Sequence, residues 1–249
     1  MKRIILSGCN GTMGKVISRS IDTRDDCAIV GGFDREDDCS NIFPVFTDFN
    51  NVDVECDVII DFSHPSLLDA LLDYAIASKT PIVIATTGLS QEQIDNIHNA
   101  AKEIPVFFTA NMSLGVNLLV ELAKKATAVL GGQFDIEIIE KHHNKKIDAP
   151  SGTALMIADS ISSELSEQPE YVYDRQCKRE KRSANEIGLH SVRGGTIVGE
   201  HEVIFAGPDE ILSISHTAMS KEIFATGAIN AALYICEKQH GLYSMKDLI

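Results

Sequence analysis

The sequence predicts an α/β protein with a Rossmann-like, doubly wound parallel sheet, followed by a second, α+β domain with a mixed or antiparallel sheet. Short apolar runs in the first half alternate with amphipathic segments of helical spacing, and a glycine-rich turn follows the first run. Continuous apolar runs are typical of parallel strands that helices cover on both faces. The second half changes to longer strand-like runs, and 249 residues with 44% apolar content suffice for two modest domains.

The first domain begins with a strand, a turn and a helix. Ile4 to Leu6 is apolar and leads to Gly8, and apolar residues then recur at helical spacing from Met13 to Ile21. The same alternation continues to residue 112, where we place the domain boundary. It predicts strands at residues 27–33, 57–62, 81–86 and 105–108, a helix at 65–78, and another that opens with the capping-box pattern at residues 90–93.

The second domain is expected to cover residues 113–219. A long helix at residues 113–130, a strand at 134–140 and a helix at 151–165 are followed by a polar stretch at 168–186, which predicts a surface loop. A tight turn is then expected at Gly194 and Gly195, with paired antiparallel strands at residues 196–205 and 210–215. A last helix at residues 220–238 is expected to return to the first domain, which residues 220–249 complete.

Composition excludes several classes of function. The formal net charge of −14 opposes binding to nucleic acid or to an anionic membrane. No apolar run approaches the ~20 residues of a membrane span, and the N-terminal run is too short for a signal peptide. The six cysteines show no CxxC pair or metal-ligand spacing, which predicts free thiols and no metal site. We therefore expect a cytoplasmic protein.

The glycine-rich turn is the first candidate functional feature. Residues 8–14 read Gly-Cys-Asn-Gly-Thr-Met-Gly, with Asn10 where the commoner G-x-G-x-x-G pattern has its second glycine. Asn tolerates a left-handed backbone, so the turn is kept. Glycines let a pyrophosphate approach the backbone, and the following helix presents free N–H groups, so the turn indicates dinucleotide binding. The alternative is a turn that merely joins strand to helix.

An acidic and a basic residue follow the second predicted strand. Asp34 is placed to accept hydrogen bonds from the adenosine ribose, and the Arg35 guanidinium is suited to binding a 2′-phosphate. Together they indicate a protein that uses NADH, NADPH or both. The competing interpretation is a solvated pair within the charged run at residues 34–38.

Residues 140–154 combine three kinds of chemistry. Two adjacent histidines suit a general acid, because imidazole changes its charge near neutral pH. Three lysines add positive charge, and the helix start after Pro150 offers N–H groups to an anion. Beside a nicotinamide site, this set indicates reduction of an anionic C=C or C=N compound. The residues are His142 and His143, then Lys141, Lys145 and Lys146, then Ser151, Gly152 and Thr153.

The same segment closely resembles the signature of the dihydrodipicolinate reductase family, now named 4-hydroxy-tetrahydrodipicolinate reductases. The family pattern is E-x-H-H-x-x-K-x-D-A-P-S-G-T-A, and every fixed position is present here. The resemblance also covers residues 8–14, 61–63, 86–88, 110–111, 115–117, 190–195 and 199–201, and so spans nearly the whole chain. It implies an NAD(P)H-dependent reductase of lysine and diaminopimelate biosynthesis that acts on a small dicarboxylate.

The resemblance also implies roles for single residues. His142 would donate the proton, and Lys146 would assist as a second acid or charge stabiliser. The substrate carboxylates would be bound by His143, Gly152 and Thr153, with Ser151 at the same helix start. The cofactor would be bound by Gly8, Cys9, Asn10, Gly11, Thr12 and Met13, by Asp34 and Arg35, by Ala85, Thr86 and Thr87, and by Thr109, Ala110, Asn111 and Met112.

Family members form homotetramers through the sheet of the second domain and close by a hinge motion, which the resemblance implies here too. Three positions depart from the family. Thr12 stands where arginine is frequent, which weakens any case for NADPH preference. Ala85 replaces a common glycine, and Thr217 stands where lysine is frequent, so the positive charge around the substrate is expected to be lower.

Two other functions are open alternatives at this level. A non-catalytic dinucleotide sensor would need a DNA-binding segment or a basic face, and the sequence offers only the basic run at residues 178–182. A dehydrogenase of the aspartate or homoserine type would explain the glycine turn. It would leave residues 142–153 without a role.

Overall fold

The structure is a computed structural model that describes residues 1–248. Its contacts divide the chain into two units: Met1–Leu114 together with the segment from Lys221 onward, and Gly115–Ser220. The second unit is thus inserted into the sequence of the first. No helix within residues 1–248 is long and apolar enough to cross a membrane.

A seven-stranded parallel sheet forms the centre of the first unit. Its strands are β1 (Lys2–Ser7), β2 (Cys27–Phe33), β3 (Val45–Phe46), β4 (Val58–Asp61), β5 (Ile82–Ile84), β6 (Pro105–Phe108) and β12 (Gly241–Tyr243). Their order is β12-β6-β5-β4-β1-β2-β3. After β1 the chain adds β2 and β3 on one side of it and then crosses to add β4 on its other side, so the strand order reverses between β1 and β4. Ligands of open α/β sheets bind beyond the carboxyl ends of the strands at such a reversal.

Helices cover both faces of this sheet. On one face lie α1 (Thr12–Ile21) and α6 (Glu222–Ile235), and on the other lie α2 (Leu68–Ser78) and α3 (Gln91–Ala100). Successive strand residues point to opposite faces. Accordingly, Ile4 and Leu6 belong to the core with α1 and α6, whereas Ile5 belongs to the core with α2 and α3. The apolar run of β1 is continuous because both of its faces are buried.

The second unit has a mixed five-stranded sheet. Its strands are β7 (Asp135–His142), β8 (Glu170–Val172), β9 (Glu186–Arg193), β10 (Gly199–Ala206) and β11 (Ile211–Ala218), in the order β11-β10-β7-β9-β8. The central β7 pairs in parallel with β9 and antiparallel with β10. Two helices, α4 (Leu114–Leu130) and α5 (Gly152–Ser162), pack on one face, where Ile138, Ile157 and Phe205 are fully buried.

The structure corrects the sequence prediction at several short elements. Residues 168–186, expected to be a loop, contain β8, which pairs in parallel with the start of β9. The strands β3 and β12 were not predicted either, because two or three residues are too few to show a period. The strand β10 begins at Gly199 rather than at residue 196. The predicted antiparallel pairing of β10 with β11 is confirmed.

Candidate active site

The glycine turn of the first unit lies at the carboxyl end of β1, next to the end of β4. Gly8 has a positive φ of 79°, and a Cβ there would lie 2.5 Å from the carbonyl oxygen of Phe62. A Cβ at Gly14 would collide with the carbonyl oxygen of Gly8, so only glycine permits this close packing of turn and helix. No side chain among residues 1–248 caps the N-terminus of α1 at Gly11, which leaves the first N–H groups available to an anion.

Asp34 ties the end of β2 to the glycine turn. Its Oδ2 accepts a hydrogen bond from the Asn10 N–H at 2.9 Å, and its Oδ1 accepts one from the Arg35 N–H at 2.8 Å. Each carboxylate oxygen has a second lone pair, so the group can still accept from a ribose hydroxyl. The Arg35 side chain is exposed, with its Nη2 3.5 Å from Ser66 Oγ, at the limit of a hydrogen bond.

The remaining predicted cofactor residues differ in how they could act. Thr86 is buried and donates its hydroxyl to Asp61 at 2.6 Å, so that hydroxyl is already engaged. Burial raises the pKa of Asp61, although the hydrogen bonds from Ser63 and Thr86 oppose this. Cys9 and Met112 are in the core, which leaves their backbone groups as the available contacts. Three further residues are accessible at the surface: Thr12, Thr87 and Ala110.

The chemical segment lies in the second unit, where β7 ends at His142. The His142 Nδ1 lies 2.6 Å from Oε2 of Glu140, whose side chain is 1% exposed. Arg193 binds both oxygens of the same carboxylate, at 2.7 and 2.6 Å. A Cβ at Gly199 would lie 3.2 Å from His142 Nε2, so this second ring nitrogen lies beside a residue without a side chain.

The start of α5 forms the next part of the site. Ser151 caps the helix by accepting from the Ala154 N–H at 3.2 Å, and its own N–H donates to Glu140 Oε1 at 3.1 Å. Its Oγ also lies 3.1 Å from His201 Nε2, so the polar atoms of Ser151 are already paired. By contrast, nothing described lies within 4 Å of a Cβ built on Gly152, which leaves the helix start accessible there.

The basic residues of this segment do not all face the same way. Lys146 Nζ pairs with Asp148 at 2.9 Å, and Lys141 Nζ pairs with Glu200 at 2.8 Å. Successive residues of a strand alternate between faces, so Lys141 lies on the opposite face of β7 from His142. The expected contribution of Lys141 to a positive pocket is therefore not observed.

Two histidines of the site have ring nitrogens without a partner. His143 Nδ1 and His201 Nδ1 are buried and have no hydrogen-bond partner among residues 1–248. The His201 ring packs edge-on against His142 at a centroid distance of 5.3 Å. Burial lowers the pKa of His201 to about 4, so this ring is neutral at physiological pH. His143 thus has an unused buried donor or acceptor, which fits the expected contact with a carboxylate.

Sequence reasoning missed three residues that the structure brings to His142. Glu140 could have been found, because a residue two positions earlier in a strand points to the same face. Arg193 and His201 lie in segments that the family resemblance covers, but no role was predicted for them. They reach the site through the register of β7 with its neighbours: Arg193 pairs with His142, and His201 pairs with Glu140. Such register depends on contacts between distant parts of the chain.

The fold and these two groups of residues define an NAD(P)-binding oxidoreductase whose second unit carries the His142 segment. Two family models match the chain: dihydrodipicolinate reductase, N-terminus, over residues 2–112, and dihydrodipicolinate reductase, C-terminus, over residues 115–249. The chain belongs to the dihydrodipicolinate reductase family. The predictions of family, fold class and enzyme class are confirmed. The family matches exclude the two alternative functions, a non-catalytic dinucleotide sensor and an aspartate or homoserine dehydrogenase.

Individual relatives agree with this assignment. The chain is 53% identical over 249 residues to the 4-hydroxy-tetrahydrodipicolinate reductase of Caldanaerobacter subterraneus subsp. tengcongensis, covering 100% of this chain and 98% of that one. It is 49% identical to the enzyme of the same name from Clostridium novyi, with the same coverage. The dipicolinate-bound dihydrodipicolinate reductase from Paenisporosarcina sp. TG-14 shares the fold, with a TM-score of 0.81, 23% identity and 100% of both chains covered.

Proposed function

We propose that this chain reduces 4-hydroxy-tetrahydrodipicolinate with His142 as the proton donor. The reaction is the one that defines the family: NAD(P)H-dependent reduction of that compound to tetrahydrodipicolinate, in lysine and diaminopimelate biosynthesis. The observation that carries the proposal is the His142 imidazole, held through Nδ1 by a buried carboxylate and with Nε2 beside Gly199. An imidazole held in this way can release a proton from Nε2.

The first unit would bind the cofactor. The uncapped N-terminus of α1 and the backbone from Gly8 to Met13 would hold the pyrophosphate, with the positive end of the helix dipole favouring the anion. Asp34 would accept from the ribose, and Arg35 would bind a 2′-phosphate where one is present. Backbone groups of residues 85–87 and 109–112 would complete the site. The nicotinamide, when bound, supplies the hydride.

The second unit would bind and protonate the substrate. The N–H groups at Gly152 and Thr153 and the unpaired Nδ1 of His143 would hold the carboxylates. Lys146 would leave Asp148 to bind the same anion or to stabilise developing charge. One hydride and one proton are added in the reaction while the 4-hydroxyl leaves as water, which balances the conversion.

The acceptance of both NADH and NADPH is part of the proposal. Asp34 and Arg35 together fit either adenosine, whereas Thr12 lacks the charge that a further phosphate contact would use. Arg35→Ala is expected to raise KM for NADPH several-fold more than KM for NADH, because only the former has a 2′-phosphate. Equal changes for the two cofactors would remove Arg35 from this role.

We also propose that the protein is a cytoplasmic homotetramer assembled through the second unit. The face of its sheet that α4 and α5 do not cover carries Val192, 45% exposed, and Ile211, 70% exposed. A shared sheet face would remove this apolar surface from water. Light scattering coupled to size-exclusion chromatography tests the assembly, and a monomeric mass at micromolar concentration would refute it.

The reaction is tested by following NADH and NADPH oxidation separately while a dihydrodipicolinate synthase makes the substrate from pyruvate and aspartate semialdehyde. Oxidation that depends on the synthase supports the proposal, and the ratio of the two rates gives the cofactor preference. Folded protein that binds the cofactors without oxidising them under these conditions would refute the proposed reaction.

A further inference from the structure

Glu140 has more hydrogen-bond partners than an isolated ion pair would provide. Its Oε2 accepts from Arg193 Nη1 at 2.7 Å and lies 2.6 Å from His142 Nδ1. Its Oε1 accepts from Arg193 Nη2 at 2.6 Å and from the Ser151 N–H at 3.1 Å. Four hydrogen bonds therefore fix one buried carboxylate between the end of β7, the end of β9 and the start of α5.

These contacts determine which nitrogen of His142 carries a proton in the neutral ring. An ionised carboxylate only accepts hydrogen bonds, so Nδ1 must be the donor. The proton that the ring gains and loses is then the one on Nε2, which lies beside Gly199. A ring free to exchange tautomers or to rotate would present its acidic proton at this position for only part of the time.

Arg193 holds Glu140 in place from the neighbouring strand. Besides its two bonds to the carboxylate, Arg193 Nη2 donates to the Asp148 carbonyl at 2.7 Å, and Nη1 donates to the Val192 carbonyl at 2.8 Å. The guanidinium thus connects Glu140 to the loop that carries Lys146. Its planar fork fits the two carboxylate oxygens in a way that the single ammonium of a lysine would not.

We propose that Glu140, held by Arg193, is a positioning residue that fixes the tautomer and orientation of His142 for proton donation. This inference rests on the proposed function and adds a residue to it. It needs Glu140 to be an anion whenever the enzyme works. Burial by itself would raise the pKa of Glu140, but the hydrogen bonds from Arg193 and His142 outweigh burial and lower it to about 2.

Other charged groups near His142 enter the interpretation of a pH profile. Arg193 faces it from β9, His201 packs against it from β10, and Lys146 lies on the loop after it. His201 is neutral at physiological pH, because burial lowers its pKa to about 4. A change of the kcat profile near neutral pH on removing the Glu140 charge would therefore not arise from His201.

The test compares Glu140→Gln with Glu137→Gln in the full-length enzyme, with kcat measured at saturating cofactor and KM obtained by varying the cofactor. Glu137 is a matched control, because it lies on the same strand and also contacts a histidine and arginines, but on the opposite face. We expect Glu140→Gln to lower kcat at least ~10-fold, with KM for the cofactor within about twofold, and to move the decline of kcat with pH to lower pH. Glu137→Gln should leave kcat per folded molecule and the pH profile unchanged.

The ¹⁵N chemical shifts of the His142 ring provide a readout that does not depend on turnover. In the neutral wild-type ring Nδ1 should be protonated, whereas Glu140→Gln should show a mixture of tautomers. Wild-type kcat, pH profile and tautomer in Glu140→Gln would overturn the inference. A wild-type enzyme that is inactive, or a His142→Gln variant that is fully active, would refute the proposed function, while the chemical shifts would still test the positioning.

Glu140→Gln leaves the partly buried Arg193 without its counter-ion and could fail to fold. Glu140→Asp keeps the charge but withdraws the carboxylate from His142 by one methylene. We expect this variant to fold, to lose several-fold in kcat and to show mixed tautomers. Unchanged kcat together with an unchanged Nδ1–H signal would overturn the inference.

Discussion

Two clusters on the strand β7 have nearly the same composition and different surroundings. Glu140 contacts His142 and Arg193, while Glu137 contacts His190 at 2.7 Å together with Arg175 and Arg182. The Glu140 side chain is 1% exposed and that of His142 is 12%, against 21% for Glu137 and 38% for His190. The same three residue types therefore form one buried cluster and one more exposed cluster on a single strand.

What distinguishes the clusters is the backbone next to the histidine. His142 lies beside Gly199 and close to the start of α5, where N–H groups are accessible to an anion. His190 lies on the face of the sheet that α4 and α5 do not cover, and the arginines beside it are paired with Glu137. We infer that proton donation by His142 would depend on the helix start next to it, which His190 lacks.

The largest expected difference is in turnover after replacing each histidine. We expect His142→Gln to lower kcat at least ~10²-fold with nearly unchanged cofactor affinity, because glutamine cannot donate a proton as an acid. His190→Gln should leave kcat within about twofold. Steady-state kinetics and cofactor titration of both variants measure the contrast. Equal losses in the two variants would remove the functional distinction between the clusters.

A methyl group added beside the Glu137 cluster should act on stability. A Cβ at Gly188 would overlap the Glu137 carboxylate, which would have to leave its present partners. We expect Gly188→Ala to lower the free energy of unfolding by about 1–3 kcal/mol, as overpacking commonly does, and to leave kcat per folded molecule unchanged. Urea denaturation and active-site titration would check both parts. A loss of kcat at full stability would contradict this view of the cluster.

The same change beside the His142 cluster should act on catalysis. A Cβ at Gly199 would lie 3.2 Å from His142 Nε2, which crowds the proposed acid without a severe collision. We expect Gly199→Ala to lower kcat/KM roughly 10-fold and the free energy of unfolding by less than about 1 kcal/mol. Kinetics and urea denaturation on one preparation would measure the two effects. An unchanged kcat/KM would mean that substrate does not approach Nε2 from this side.

The smallest expected effect is a pH dependence of stability. The pKa of Glu140 is lowered from 4.5 to about 2 in the folded protein, so its stabilisation is complete above pH 4.5 and lost as the pH falls towards 2. The destabilisation caused by Glu140→Gln should therefore shrink between pH 5 and pH 2.5. The pKa of Glu137 is also lowered, so Glu137→Gln should follow with the same sign. Urea midpoints at several pH values test this, and a destabilisation that grows in acid would contradict it.

Local sequence was sufficient to place those features that lie within one continuous segment of the chain. The segment from Gly8 to Gly14 follows β1 and runs into the first turn of α1, so spacing alone placed it correctly. The capping box at Ser90 and Gln93 is present as predicted. These features depend on neighbouring residues, which a sequence pattern records directly. The role of each predicted site residue stays a prediction until the variants are measured.

Strand pairing set the limit of sequence reasoning. The contacts of Glu140 with Arg193, and of Ser151 with His201, join residues about fifty positions apart in the chain. They exist because β7 lies between β9 and β10, an order that no local pattern specifies. The orientation of Lys141 was missed for a local reason: the strand was expected to end at residue 140, whereas β7 continues to His142, so Lys141 faces away from His142.

The insertion of the second unit into the first has a consequence for the order of biosynthesis. The core between α1 and the sheet includes Ala225, Ala228 and Ile229 of α6, and Gly227 is packed directly against the Met112 carbonyl. A ribosome therefore releases all of residues 115–220 before it releases the helix that completes the N-terminal half. The first unit begins synthesis first but is completed last. Until α6 has been synthesised, the apolar surface that α6 covers stays exposed, although every residue of the second unit has already been made.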